Sequence, residues 1–242
     1  MKNIALSLLI ACTAFTLSSN AQTEIPKFRF GMKGATQLTW LKADFRDLPE
    51  GFTAENGGVR GNLSWGPQLE FLLDKKGNFY LSTGFEINYS KGSIKGNLPT
   101  EVLGVKRIFT YESDYTMRFL ELPVMIKFRT DEIGYMRYFG LFGMGAGIRL
   151  RAENAFSVTS DGNNPTTTTV YNKSTSGAVN PIRGSLLIGA GAEYSVTSNV
   201  AIVGSILFNN NFTNILKDRA ETPNAKDFGI LNYLQLNVGV LF

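Results

Sequence analysis

WGPQLEFLLDKKGNFYLSTGFEINY, residues 65–89, reads as a single β-hairpin. Before its turn, Trp65, Pro67, Leu69, Phe71 and Leu73 occupy every second position, with Gln68 and Glu70 between them. After it, Phe79, Leu81, Thr83, Phe85, Ile87 and Tyr89 alternate with Tyr80, Ser82, Gly84, Glu86 and Asn88. A strand sends successive side chains to opposite faces, so each arm has one apolar and one mainly polar face. Asp74-Lys75-Lys76-Gly77-Asn78 supplies the turn chemistry between the arms.

The same period recurs on both sides of this hairpin. A first strand sets Phe28, Phe30, Met32, Thr36, Leu38 and Trp40 against Arg29, Lys33, Ala35, Gln37 and Thr39. A fourth sets Leu120, Leu122, Val124, Ile126 and Phe128 against Glu121, Pro123, Met125 and Lys127. A fifth sets Tyr138, Phe142, Met144, Ala146, Ile148 and Leu150 against Phe139, Leu141, Gly143, Gly145, Gly147, Arg149 and Arg151. A sixth runs from Ser185 to Val196 with Glu193 on its polar face, and a seventh from Val200 to Asn211. The eighth carries Leu234, Leu236, Val238, Val240 and Phe242 against Gln235, Asn237 and Gly239. Short turns near residues 74–78, 130–135 and 197–199 alternate with four long polar stretches, including 42–62 and 154–180. Residues 154–180 are the longest such stretch and are expected to be loop. The expectation is an all-β protein: an eight-stranded, antiparallel, up-and-down transmembrane β-barrel with both termini on the short-turn side.

The totals agree and exclude several classes. The 242 residues suit one domain or one mid-sized barrel. No stretch beyond the N-terminus approaches the roughly 18 apolar residues of a spanning helix. Lys and Arg number 24 against 20 Asp and Glu, with no basic run, so nucleic acid is not an expected partner. There is no histidine, which removes the commonest general base and metal ligand. Cys12 is the one cysteine.

Residues 1–21 read as a secretory signal peptide: basic Met1-Lys2-Asn3, an apolar core from Ile4 to Leu17, then Ser19 and Ala21 in small-x-small spacing. The barrel domain is then 22–242, reaching the cell outer membrane after Sec export. Leu9-Ile10-Ala11-Cys12 also resembles a lipobox, although its apolar core would be only about eight residues long.

Alternation alone does not say which face points inward, and a secreted lipocalin-like barrel shares the pattern. The polar face carries Arg29, Lys33, Glu70, Glu86, Glu121, Lys127, Arg149 and Glu193, a mixed-sign set suited to pairing inside a narrow lumen. On a lipid-facing wall, an Arg or Lys costs about 2–4 kcal/mol at the midplane. Aromatics gather toward strand ends, as in interfacial girdles. Both features favour the membrane barrel.

Leu234 to Phe242 resembles the C-terminal signal that the outer-membrane assembly machinery reads, with Leu236, Val238, Gly239, Val240 and Phe242 as its elements. FLELPVMIKF, residues 119–128, resembles the YLEIPLLLKY strand of the PorT-like outer-membrane β-barrel proteins of Bacteroidetes, with Phe119 in place of Tyr. Gly31 with Lys33-Gly34 and the glycine-rich fifth strand fit the same family. The resemblance implies a barrel in the outer membrane and is nearly silent on activity.

The chain carries little recognisable catalytic chemistry. Barrel hydrolases and barrel proteases rely on histidine, and neither a Gly-x-Ser-x-Gly elbow nor a Walker loop occurs. Gly143, Gly145 and Gly147 form a ladder in a strand, and Glu86, Glu121 and Glu193 read as partners of Arg29, Lys33, Lys127 and Arg149. No enzyme activity, catalytic residue, metal or cofactor is expected. The leading function is structural or interactive, with a lumen plugged by side chains and long external loops meeting a surface partner. The alternatives are a small pore or ligand carrier, which needs a gap among Tyr80, Phe139 and Leu141, and an accessory of a secretion system. The expected partners are outer-membrane lipid and, during biogenesis, the assembly machinery.

Overall fold

The computed structural model describes residues 26–45, 51–102, 105–160, 166–172, 179–216 and 227–242. The signal-peptide and lipobox readings fall outside these residues. Eleven strand segments are described: β1 (Phe28–Phe45), β2 (Glu55–Asn56), β3 (Val59–Leu72), β4 (Phe79–Gly84), β5 (Glu86–Val102), β6 (Val105–Arg129), β7 (Met136–Thr159), β8 (Thr167–Asn172), β9 (Ile182–Ser195), β10 (Ala201–Asn211) and β11 (Asp227–Leu241). β4 and β5 are two halves of one crossing, while β2 and β8 are short additions to β5 and β7. Eight crossings remain, each antiparallel to its neighbours, and β11 pairs with β1 to close the ring.

The break in the third crossing has a cause on both sides. The β3 register sets Pro67 beside Phe85, and the β6 register sets Pro123 beside Gly84. Neither proline has an N–H to give the ladder. Gly84 takes φ +144°, and a Cβ there would collide with the Pro67 carbonyl. The registers on either side of the gap agree, so the strand continues without slipping.

Following pairs around the ring measures its stagger. Phe28 pairs with Phe71, then Leu81, Ile126, Phe142, Ile188, Phe208 and Leu234 in turn. Leu234 returns to β1 at Leu38, ten residues beyond the start. That stagger requires strands tilted by roughly 35–45°. All eight residues on the circuit point away from the lumen.

Burial decides which face is inside. Met144 and Val238 are 62% and 60% exposed, while Lys127 and Glu70 are 0% exposed. A lipocalin-like barrel would show the reverse. Phe28, Phe71, Phe79, Phe128, Tyr138, Tyr194 and Phe242 face outward near the short-turn end. Their rings meet across strands, as in Phe28 with Phe71 (5.1 Å between centroids) and Phe79 with Phe128 (5.6 Å). Toward the other end Trp40 stacks on Phe208 at 6.2 Å.

Two of the expected long loops are largely β-structure. β5 and β6 stay paired to Val102 and Val105, and β7 runs on to Thr159 and pairs with β8. The reading of 154–180 as loop is therefore corrected over residues 154–159 and 167–172. Between Arg118 and Phe119 the β6–β7 register slips by one, leaving Leu150 as the extra residue of a β-bulge. The slip reverses the alternation above it: Ala152 turns inward and Arg151 outward, which corrects the inner-face assignment of Arg151.

Candidate functional site: the barrel lumen

An eight-stranded barrel leaves an interior just wide enough for side chains, so lumenal residues meet across it. The layer nearest the short turns is ionic. Arg29 pairs with Glu70 and, at 3.0 Å, with Glu193. Lys127 pairs with Glu70 at 2.8 Å and also with Glu193. Arg129 reaches Glu193 at 3.1 Å. Three cations thus share two carboxylates, and Gln68 donates to Glu70 at 2.8 Å. Arg29 and Arg129 lie over the Tyr80 ring at 4.6 and 4.7 Å, and Lys127 over Phe139 at 4.2 Å. In a buried cluster these contacts offset a desolvation cost of several kcal/mol per ion.

Above it, Lys33 pairs with Glu86 at 2.7 Å, and Gln235 donates to both Glu86 (2.7 Å) and Ser64 (2.9 Å). Higher still, Arg183 pairs with Glu121, which also accepts from the Tyr233 hydroxyl at 2.7 Å. The Arg183 guanidinium lies 4.0 Å from the Phe119 ring centroid. Gly147 makes room for it, because a Cβ there would sit 2.8 Å from Arg183 Cγ. At the far end Leu41, Ile94, Met117, Phe119, Val179, Ile215, Leu216 and Leu231 form an apolar cluster. Val179 bridges Leu216, and Asn214 Oδ1 accepts from Leu216 N and Gly229 N, tying this cap across the mouth.

Seven of the eight charges singled out in the sequence enter these three groups. Arg149 does not: it donates to the Val179 carbonyl at the capped end and stands apart from the lumenal ion pairs. Arg129 and Arg183 were missed. Arg129 continues the Lys127 alternation by one step, and Arg183 precedes Ser185 on the same face, so both were within reach of the pattern. Of the C-terminal elements, Leu236, Val238, Val240 and Phe242 lie on the outer face and Gly239 on the inner.

A cavity of about 20 Å³ remains among Lys33, Ser82, Met125, Lys127, Phe139 and Leu141. That is room for about one water. Among the described residues no group of three or more carboxylates is arranged to hold a metal ion.

At the short-turn end, Asp74 closes the β3–β4 hairpin. Its carboxylate accepts from the backbone N–H groups of Lys76 (3.1 Å), Gly77 (3.1 Å), Asn78 (3.0 Å) and Phe79 (3.0 Å). Desolvation pulls its pKa upward, but the four donors outweigh it and hold the group below the ordinary carboxylate value. A depressed folded-state pKa contributes stability above the unfolded carboxylate value, lost as pH falls through the folded one. The stability gap between wild type and Asp74→Asn should therefore be full at neutral pH and close in acid. Urea unfolding in micelles across pH 2–7 checks this; a pH-independent gap would show that the charge contributes nothing.

A closed eight-stranded barrel, apolar outside above an aromatic girdle and ionic inside, defines an integral outer-membrane β-barrel. The chain belongs to the outer membrane protein beta-barrel domain family, whose model matches residues 20–217. Its place is the outer membrane. Among solved structures it is similar to the attachment invasion locus protein Ail of Yersinia pestis, at 12% identity and a TM-score of 0.37, covering 90% of this chain and all of that one. It is similar also to OprG from Pseudomonas aeruginosa, at 8% identity and a TM-score of 0.45, covering 91% and 98%. A third is the outer membrane protease OmpT from Escherichia coli, at 12% identity and a TM-score of 0.31, covering 91% and 99%. Comparison with curated protein sequences returned no match.

Proposed function

We propose that this barrel is a non-enzymatic, non-conducting membrane scaffold whose external β-ribbons engage a partner at the cell surface. The observation that carries the reading is the packing of the described lumenal side chains: ion pairs, an apolar cap and a cavity of about 20 Å³ between them. A pore or carrier needs a large void near Tyr80, Phe139 and Leu141; the space beside Phe139 and Leu141 is about 20 Å³, and Arg29 and Lys127 stack on the rings of Tyr80 and Phe139. The ribbons support the interaction half, since β5–β6 and β7–β8 carry paired backbone well past the girdle-to-girdle span.

Within its family we place the chain with the PorT-like members, on the strength of Phe119–Phe128, and so beside a secretion machine as the finer form of the same role. The outward row Leu236, Val238, Val240 and Phe242 supports recognition of the last strand during assembly. Planar-bilayer recording tests the proposal: purified barrel should give no stable single-channel steps. Large, long-lived conductance would sink the plugged lumen, and co-purification without any secretion component would remove the finer role.

A further inference from the structure

The outer wall of the barrel carries a cationic cluster that the lumen does not use. Lys91, Arg118 and Arg151 stand on adjacent strands β5, β6 and β7, all on the outer face. The register pairs Tyr89 with Arg118, and Arg118 directly with Arg151. Like charges directly opposite across a ladder are destabilising. The arrangement depends on the bulge at Leu150, without which the alternation would send Arg151 inward.

Their height follows from the strands. Arg118 is ten residues above Phe128 of the girdle, Lys91 twelve above Phe79, and Arg151 thirteen above Tyr138. At about 3.3 Å per residue and a tilt near 40°, that is roughly 25–33 Å, the thickness of the apolar band or slightly more. The cluster therefore sits at the outer lipid–water boundary, facing sideways. Arg118 lies 4.6 Å over the Tyr89 ring, and its Nε has no hydrogen-bond acceptor. Neither Arg118 nor Lys91 has a carboxylate partner among the described residues; Arg151 has Glu153 alone.

We propose that Arg118, Arg151 and Lys91 bind a phosphate of a phosphorylated glycolipid headgroup in the outer leaflet. Two guanidinium forks offer bidentate hydrogen bonds to phosphate oxygens, and Lys91 adds a point charge. An anion seated there relieves the repulsion between the opposed arginines. Tyr89 holds the Arg118 guanidinium in place before the ligand arrives.

The test compares wild type with R118Q/R151Q in neutral detergent micelles, titrated with diphosphoryl lipid A, with the same lipid dephosphorylated, and with inorganic phosphate. Retention of one lipid by native mass spectrometry and the shift in unfolding midpoint are the readouts. Wild type should retain diphosphoryl lipid A and gain stability from it, preferring it to the dephosphorylated lipid. The double variant, checked for its folded unboiled band, should bind about tenfold more weakly or worse. Should the double variant fail to fold, R118Q alone carries the comparison. Equal retention by the variant, no preference for the phosphorylated lipid, or an equal shift from inorganic phosphate would each overturn the proposal.

Discussion

Glu193→Gln should lower the stability of the folded barrel by about 3–5 kcal/mol, the cost of breaking a buried ion pair by removing one partner. Glu193 is 1% exposed and pairs with Arg29, Lys127 and Arg129 at once. The glutamine keeps the shape and removes the charge, leaving three largely buried cations in a layer whose one remaining carboxylate is Glu70. The conversion of the unboiled band to the boiled band on an electrophoretic gel should then occur at a markedly lower temperature. Arg129→Gln in the same chain should restore part of the loss, since the layer again holds two cations, and a double-mutant cycle isolates that coupling. Breaking the external pair of Arg60 with Glu112, both partly exposed, should change stability by about 0–1 kcal/mol. If Glu193→Gln melts with wild type, the lumenal layer is not what holds the strands together.

Met144→Arg should cost about 2–4 kcal/mol, the charge of a cation at the bilayer midplane. Met144 lies on the outer face of β7, beside Val124 of β6 and Leu186 of β9, about midway between Tyr138 and Leu150. Its surroundings offer no carboxylate and no route for a long side chain to reach water. Ile148→Arg, four residues nearer the outer boundary on the same face, should cost only about 0–1 kcal/mol because the penalty falls with depth. The contrast between two identical changes on one strand face reads the depth of the lipid directly, through unfolding midpoints in bilayers. Equal, negligible costs at both positions would mean that this wall faces water.

Much of this was legible along the chain. The two-residue period split all eight crossings into an apolar and a polar face, because a strand has no other way to divide its side chains, and charge placement then favoured the polar face as the inner one. It also selected Arg29, Lys33, Glu70, Glu86, Glu121, Lys127 and Glu193 as one inward set. The same rule failed at Leu150. A bulge adds one residue to one strand, and the neighbouring strand that exposes it lies about thirty residues away in sequence. Arg151 therefore moved from the lumen to the outer wall. The break at Phe85 was equally hidden, since Pro67 and Pro123 act on it from two different strands.

The loops mark the other boundary. Residues 154–159 and the Thr-rich 167–172 lie in a stretch that looks like loop by its overall composition, yet they pair as a ribbon because β7 extends out of the membrane and offers its edge. Composition registers the polar average and not the presence of a partner, nor the apolar row of Phe156, Val158 and Val170 that pairing creates. The sequence by itself determined the number of crossings and the division of each into an apolar and a polar face, both consequences of local alternation. Tertiary structure alone decided which face points inward, which charges touch, and how far the ring is staggered. Those depend on distances between residues that only closure of β11 onto β1 brings together.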